Sequence, residues 1–206
     1  MKSILSAILL TISFLAAFGQ TGGNDFAQQI AKHREAYKQD FLQNERSPLD
    51  SADLANLRFY PPDEKYRVTC TFERTPDEKP FDIPTSSGIT KPFVKYGTLH
   101  FELGEKTLQL AVYQNLALRN VPAYAQHLFL PFRDETNDET TYGGGRYLDL
   151  SIAEVEAEAP VLDFNLCYNP WCHYSDGFNC PIPPAENTLD IEIKAGEVMW
   201  AGLKKH

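Results

Sequence analysis

The sequence predicts a mainly β domain, a β sandwich or partly open barrel, with one amphipathic helix on its N-terminal side; by strict class it is α+β. Three observations predict it. From Lys65 onward apolar residues recur at every second position in short runs, the spacing that places them on one face of a strand. The chain's 14 prolines and 12 glycines favour many short strands joined by turns over long helices. Its 13 Phe and 10 Tyr supply enough large side chains for the core of a chain of one-domain length.

Taken in order, Met1 to Gly19 combines Lys2 with an apolar run from Ile4 to Phe18 and ends Ala17-Phe18-Gly19. Small residues therefore occupy the two positions that signal peptidase reads, and the stretch is expected to be a signal peptide. It is short for a membrane span and no second apolar run follows, so no membrane span is expected. The chain is then exported, periplasmic or secreted. No cysteine lies near the cleavage point, which argues against a lipid anchor. Loss of Lys2 takes the formal charge from -9 to -10, a balance that disfavours nucleic acid and anionic membrane surfaces as partners. Residues 20-62 form the helix and a connecting segment, residues 63-206 the β-rich part, and together they make one globular domain.

Asn24 or Asp25 can cap a helix from Asp25 to Gln43, with Phe26, Ile30, Tyr37 and Phe41 close to one stripe. Ser47-Pro48 ends it, and Ser51 to Asn56 adds a single helical turn before Pro61-Pro62. Tyr66, Val68, Cys70 and Phe72 then alternate with polar residues as a half-buried strand. Phe81 to Pro84 is a short edge segment. Gly97 to Leu103 and Thr107 to Tyr113 form the clearest hairpin, with Leu99, Phe101 and Leu103 facing Leu108, Leu110 and Val112 across a turn containing Gly104. Leu128 to Phe132, Arg146 to Leu150, Val161 to Leu166 and Thr188 to Ile193 complete seven or eight strands.

Residues that do not look chosen for a core concentrate between Leu130 and Asn187. Tyr142-Gly143-Gly144-Gly145-Arg146 is a turn whose glycines let a backbone or ligand come close, with a guanidinium at its exit suited to an anion. It is not a phosphate loop, because no Lys-Ser/Thr follows and no helix opens after Arg146. A tight turn between strands is the competing reading. Arg133, Asp134, Glu135, Asp138 and Glu139 crowd the loop before it, as acid/base groups or as a solvated face. Asp163 and Asn165 fall on the same face of a short strand. Pro181, Pro183 and Pro184 exclude a ladder strand and a helix interior, so this segment is expected to lie as a strap across the sheet.

The four cysteines of an exported chain suggest disulfides. Cys172 and Cys180 are spaced to close a small loop, and a bridge there is favoured over a zinc site, whose paired cysteines sit two to four residues apart. Cys70 and Cys167 are either a second bridge or two buried thiols. No histidine is placed to activate a cysteine. His33, His100, His127 and His206 read as structural or surface residues, leaving His173 as the one histidine inside the unusual stretch. No metal set and no cofactor is called for.

The runs FRDETNDETTYGGGRYLDL and LDFNLCYNPWCHYSDGFNCPIPPAENTLDIEIKAGE, with FYPPDEKYRVTCTFE upstream, resemble the bacterial family catalogued as domain of unknown function 1684. The resemblance runs from about Arg46 to Glu197 and implies a shared β-rich domain, with no established activity. Positions matching its pattern include Asp134, Glu139, Tyr142, Gly143, Gly145, Arg146, Asp163, Asn165, Asn169, Cys172, Cys180 and Asn187. Cys70 and Cys167 depart from it, where the pattern is alanine-like. Three readings follow. Asp134, Glu139, Tyr142, Arg146, Asp163, Asn165 and Asn169 could line a site for a small polar or anionic ligand. Asp134, Glu139 or Asp163 could act as general acid or base in a hydrolase, with Arg146 steadying developing charge. Or the same groups could tie the strap down through buried hydrogen bonds. With no nucleophile–base pair and no metal-ligand set, binding or structure is favoured over catalysis.

Overall fold

The alternation that begins after Lys65 builds a single antiparallel sheet rather than two packed ones. The computed structural model describes residues 21–206, with side-chain environments from Asp25 onward, so the signal peptide expected at Met1 to Gly19 lies outside the described residues. The strands are β1 (Arg67–Arg74), β2 (Phe81–Pro84), β3 (Thr90–Leu103), β4 (Lys106–Asn115), β5 (His127–Phe132), β6 (Arg146–Ser151) and β7 (Val161–Asp163). They run in the order β6-β5-β4-β3-β1-β7, with β2 paired to β3 outside that path. Of the two predicted architectures this is the partly open one, a half-barrel. The predicted hairpin is β3–β4: Leu99 stands opposite Leu110 and Phe101 opposite Leu108, and Gly104 takes the turn at φ 64°.

Parity sorts side chains onto two faces, and both faces are covered. Leu110 and Val112 of β4, Leu128, Leu130 and Phe132 of β5, and Leu148 of β6 enter the main core. Their neighbours of opposite parity, Ala111, Tyr113, Phe129 and Tyr147, join Ile83 and Phe93 in a second, aromatic cluster. Fully burying one such side chain contributes roughly 1.5–3 kcal/mol, so neither face could be left bare to water.

Helix α1 (Thr21–Gln43) buries Phe26, Ile30 and Phe41, and Phe41 packs with Leu49, Leu57, Tyr174 and Trp200 in a third cluster. The expected cap at Asn24 or Asp25 lies inside this helix, which starts earlier; the Asp25 carboxylate accepts instead from Gln29 Nε2 at 3.4 Å, one turn on. A short helix α2 (Ile152–Val155) follows β6 with a Ser151/Glu154 capping box. No helix among the described residues is long and apolar enough to cross a membrane.

Two expected strands are corrected. The strand from Val161 to Leu166 stops at Asp163, and Phe164–Leu166 is a 3-10 turn capped by the Asp163 side chain. Asp163 and Asn165 therefore do not share a strand face; the turn brings them together, with Asn165 Nδ2 donating to Asp163 Oδ1 at 2.8 Å. Thr188 to Ile193 is not a strand and bends at Asp190 and Ile191. Its alternation is real, since Leu189 and Ile193 are buried, yet its backbone is held by the loop after β5 through Leu189 N–H to Arg133 O at 2.8 Å and Glu135 N–H to Ile191 O at 3.1 Å.

Candidate functional site

Arg146 opens β6 on the same face as Leu148, and that parity carries its guanidinium into the main core, where it is 0% exposed. Nη2 meets Asp134 Oδ2 at 2.7 Å in an ion pair whose two side chains are both fully buried. The same guanidinium donates to the carbonyls of Ile193 at 2.8 Å, Ala195 at 2.5 Å and Glu197 at 3.3 Å. Asp134 Oδ1 accepts from the backbone N–H and hydroxyl of Thr136 and from Ile193 N–H. A buried ion pair offsets its desolvation cost only with further hydrogen bonds; both terminal nitrogens of Arg146 have them, and its Nε, also buried, has none. Here the partners are the carbonyls of residues 193–197, so the pair clips the C-terminal segment onto the sheet.

The other candidates from the sequence divide between clamps and surface. Asn187 donates to the carbonyls of Ala111 and Pro131 and accepts from Ala111 N–H, tying the proline strap to β4 and β5. Asn165 accepts from Asp63 N–H and donates to Asp63 O. Asn169 N–H donates to Glu197 Oε2 at 2.9 Å and its side-chain amide to Val198 O at 2.8 Å. The glycine turn is filled by its own chain: a Cβ on Gly143 would fall within 1.8 Å of Asp138 Oδ1, and one on Gly145, at φ 87°, within 2.6 Å of Phe132 O. Glu139 is exposed and Tyr142 half-buried, the Tyr142 ring 4.4 Å from that of His173. None of Asp134, Glu139, Tyr142, Arg146, Asp163, Asn165 or Asn169 lines either of the two main clefts.

Glu197 was not singled out from the sequence, yet it is 0% exposed, and although Arg146 reaches its backbone carbonyl, its carboxylate forms no salt bridge among the described residues. Tyr174 donates to Oε1 at 2.6 Å, and Tyr37 of α1 donates to Oε2 at 3.1 Å. Burial pushes its carboxyl up from the usual 4.5 to about 7, against the pull of these hydrogen bonds. It sits at the junction of helix, sheet and C-terminal segment.

The main cleft lies on the opposite face of the sheet. It has a volume of about 480 Å³ and is walled by Phe93 of β3, Phe129 of β5, Tyr147 of β6 and, from the strap, Tyr168, Trp171 and Phe178. The rings form a ladder: Phe93 to Phe129 at 5.7 Å, Phe129 to Tyr147 at 4.7 Å edge-on, Tyr147 to Tyr168 at 5.9 Å. Tyr147 donates to Pro181 O at 2.5 Å, which ties the strap to β6; Phe93, Phe129 and Tyr147 are themselves buried in the aromatic cluster, while Tyr168, Trp171 and Phe178 are half-buried. A second cleft of about 460 Å³ lies beside α1 and shares Tyr168 and Trp171 with the first. The missed signal was the run Leu128-Phe129-Leu130-Pro131-Phe132: five apolar residues without alternation mean a strand buried on both faces.

All four cysteines are free thiols. Cys172 N–H donates to Cys180 Sγ at 3.2 Å, and a hydrogen bond between the two thiols lowers the pKa of Cys172 and raises that of Cys180. The bridge considered between Cys70 and Cys167 is not formed. Their thiols donate to separate carbonyls, Val68 O and Ala195 O, and burial pushes both up to about 11. His173 accepts from Trp200 N–H at 2.8 Å, and burial lowers it to about 4, so it is a neutral structural acceptor at ordinary pH.

Comparison with known proteins agrees with this picture of fold. The chain is similar to the solution NMR structure of an uncharacterized protein from Haloarcula marismortui, with a TM-score of 0.66 and 31% sequence identity over 85% of this chain and 95% of that one. A comparison with curated proteins finds no match. The family model described as "Protein of unknown function (DUF1684)" matches residues 52–198, which takes in the whole sheet, the strap and Glu197. The chain belongs to this family.

Proposed function

We propose that the protein is an exported, periplasmic or secreted, ligand-binding domain whose site is the aromatic cleft rather than the surroundings of Arg146. One observation carries the reading: six aromatic side chains converge on a solvent-open cleft of about 480 Å³, the size and lining of a small-molecule site. The residues around Arg146 are occupied in holding the chain together, which leaves them no face to offer a ligand or a reacting bond. The leader-like composition of Met1 to Gly19 supports export.

The test is binding of N-phenyl-1-naphthylamine, a neutral apolar fluorophore, followed by its emission and by quenching of Trp171. The protein is expected to take up one equivalent. Phe178→Ala, at a half-buried position on the cleft wall, is expected to weaken binding about tenfold, or ~1.4 kcal/mol, with an unchanged thermal midpoint. No saturable uptake by the native protein would sink the reading.

Export also predicts the state of the thiols. In an oxidising compartment Cys172 and Cys180, already in contact, give up two hydrogens to an external disulfide oxidant and form one bridge. Cys70 and Cys167 stay reduced because their buried thiols are poor nucleophiles. Denaturing alkylation of material recovered after export is expected to label two cysteines. Four labelled cysteines would contradict the bridge.

A further inference from the structure

The cleft also has a charge. Arg46, Lys91 and His127 line it, and none of the chain's 28 Asp and Glu does. In a protein with a formal charge of -9 this local reversal calls for an explanation. The acid that contacts the lining is already engaged: Asp149 takes His127 Nε2 at 2.8 Å on one oxygen and the Tyr168 hydroxyl at 2.7 Å on the other. His127 is thereby paired with a carboxylate. Arg46 and Lys91 are not, since neither is within salt-bridge distance of any carboxylate among the described residues.

The two cations are placed by different elements. Arg46 sits in the turn that leaves α1, with its backbone N–H fixed by Asn44 Oδ1 at 3.0 Å. Lys91 is half-buried near the start of β3, opposite Ile83 of β2. The turn after α1 and the start of β3 thus each contribute a basic residue to the lining of an apolar slot. An amine or guanidine ligand would be repelled there, and a neutral one would leave both cations unanswered.

We propose that the cleft selects an amphipathic organic anion: a flat or branched apolar body against the rings of Phe129, Tyr147 and Trp171, with a single carboxylate, sulfonate or phosphate at Arg46 and Lys91. This rests on the reading of the cleft as a ligand site. Aromatic walls hold the body without directional demands, and the guanidinium and ammonium add charge-assisted hydrogen bonds that fix its orientation.

Two fluorophores with the same ring skeleton separate the inference from the reading beneath it. N-phenyl-1-naphthylamine is neutral, and 1-anilinonaphthalene-8-sulfonate is the same molecule carrying one sulfonate. The native protein, its fold verified by near-UV circular dichroism, is expected to bind the sulfonate about tenfold more tightly at low salt, a preference that shrinks as ionic strength rises. The double variant Arg46→Gln, Lys91→Gln is expected to lose that preference while still taking up the neutral dye, and Phe178→Ala to weaken both dyes alike. Equal affinity of the native protein for the two dyes, or a sulfonate preference that survives in the double variant, would overturn the anion inference and leave the cleft standing. Uptake of neither dye would overturn the cleft, and the inference with it.

Discussion

Arg146→Met is expected to destabilise the protein by about 3–5 kcal/mol, the cost of leaving a buried charge without its partner. Typical domains have 5–15 kcal/mol in all, so the variant should unfold at a markedly lower urea concentration or fail to fold. The cause lies in what the guanidinium holds. Asp134 would be left without its cation inside a site closed to water, 2.7 Å from where the guanidinium had been. The carbonyl of Ile193 would lose its donor and that of Ala195 would keep only the weak Cys167 thiol, and the C-terminal segment would lose its clip to β6. Adding Asp134→Asn should recover part of the loss, because it removes the stranded carboxylate while an amide oxygen can still accept from Thr136. Urea titrations of the two variants check this by the change in midpoint at constant slope. A loss under about 1 kcal/mol for Arg146→Met would be that of an ordinary neutral hydrogen bond, and the clamp assignment would be wrong.

The second large effect is a pH dependence centred on Glu197. Its carboxyl titrates at about 7 in the folded protein, against the usual 4.5, so the folded state holds this proton more tightly than the unfolded chain does. Below about pH 4.5 both states are protonated and the group is neutral in its effect on stability. As pH rises through the interval from 4.5 to 7 the unfolded chain releases the proton first, and stability falls. Above about 7 the loss is complete and constant, on the order of 3 kcal/mol. Glu197→Gln keeps one amide oxygen to accept from Tyr37 and Asn169 N–H and turns an NH2 to the Tyr174 hydroxyl, which can accept, but it cannot ionise, so it should lack this slope. The expected result is that the variant gains about 2 kcal/mol relative to the parent between pH 5 and pH 8, read as the difference between their urea midpoints. Taking the difference cancels every other titrating group. Parallel curves would show that Glu197 does not titrate in this range. Because Tyr37 belongs to α1, the same variant should dock the helix more firmly at alkaline pH, seen as slower amide exchange around Tyr37.

How much of this could be read beforehand depends on how local each signal is. The β3–β4 hairpin was legible in detail, because alternation and the glycine turn are properties of adjacent residues. Thr188 to Ile193 reads as a strand; its alternation of buried and exposed side chains is there, but no ladder forms. Whether an alternating segment joins a ladder depends on which backbone groups lie beside it, and here loop residues Arg133 and Glu135 lie there. The candidate polar residues read as unusual in the sequence, and the fold engages several of them in buried hydrogen bonds. Arg146, Asp134, Asn187 and Asn169 stand out because they are polar, and they are polar because buried carbonyls and amides from distant segments need partners.

The cleft was the hardest to see, since its walls are ordinary-looking aromatics on the second face of the strands, Phe129 beside Leu128 and Tyr147 beside Arg146. The sequence by itself determined a mainly β class with one leading helix, the central hairpin, the proline strap and the family, all carried by short-range periodicity or by contiguous motifs. Only the tertiary structure decided that the sheet stays an open half-barrel, that Arg146 faces inward, and that strap and sheet leave an aromatic gap between them. Those outcomes depend on pairing between residues that are 12 positions apart for Arg146 and Asp134, 28 for Asn169 and Glu197, and 160 for Tyr37 and Glu197, and no local pattern in a chain encodes which distant group will complete a buried one.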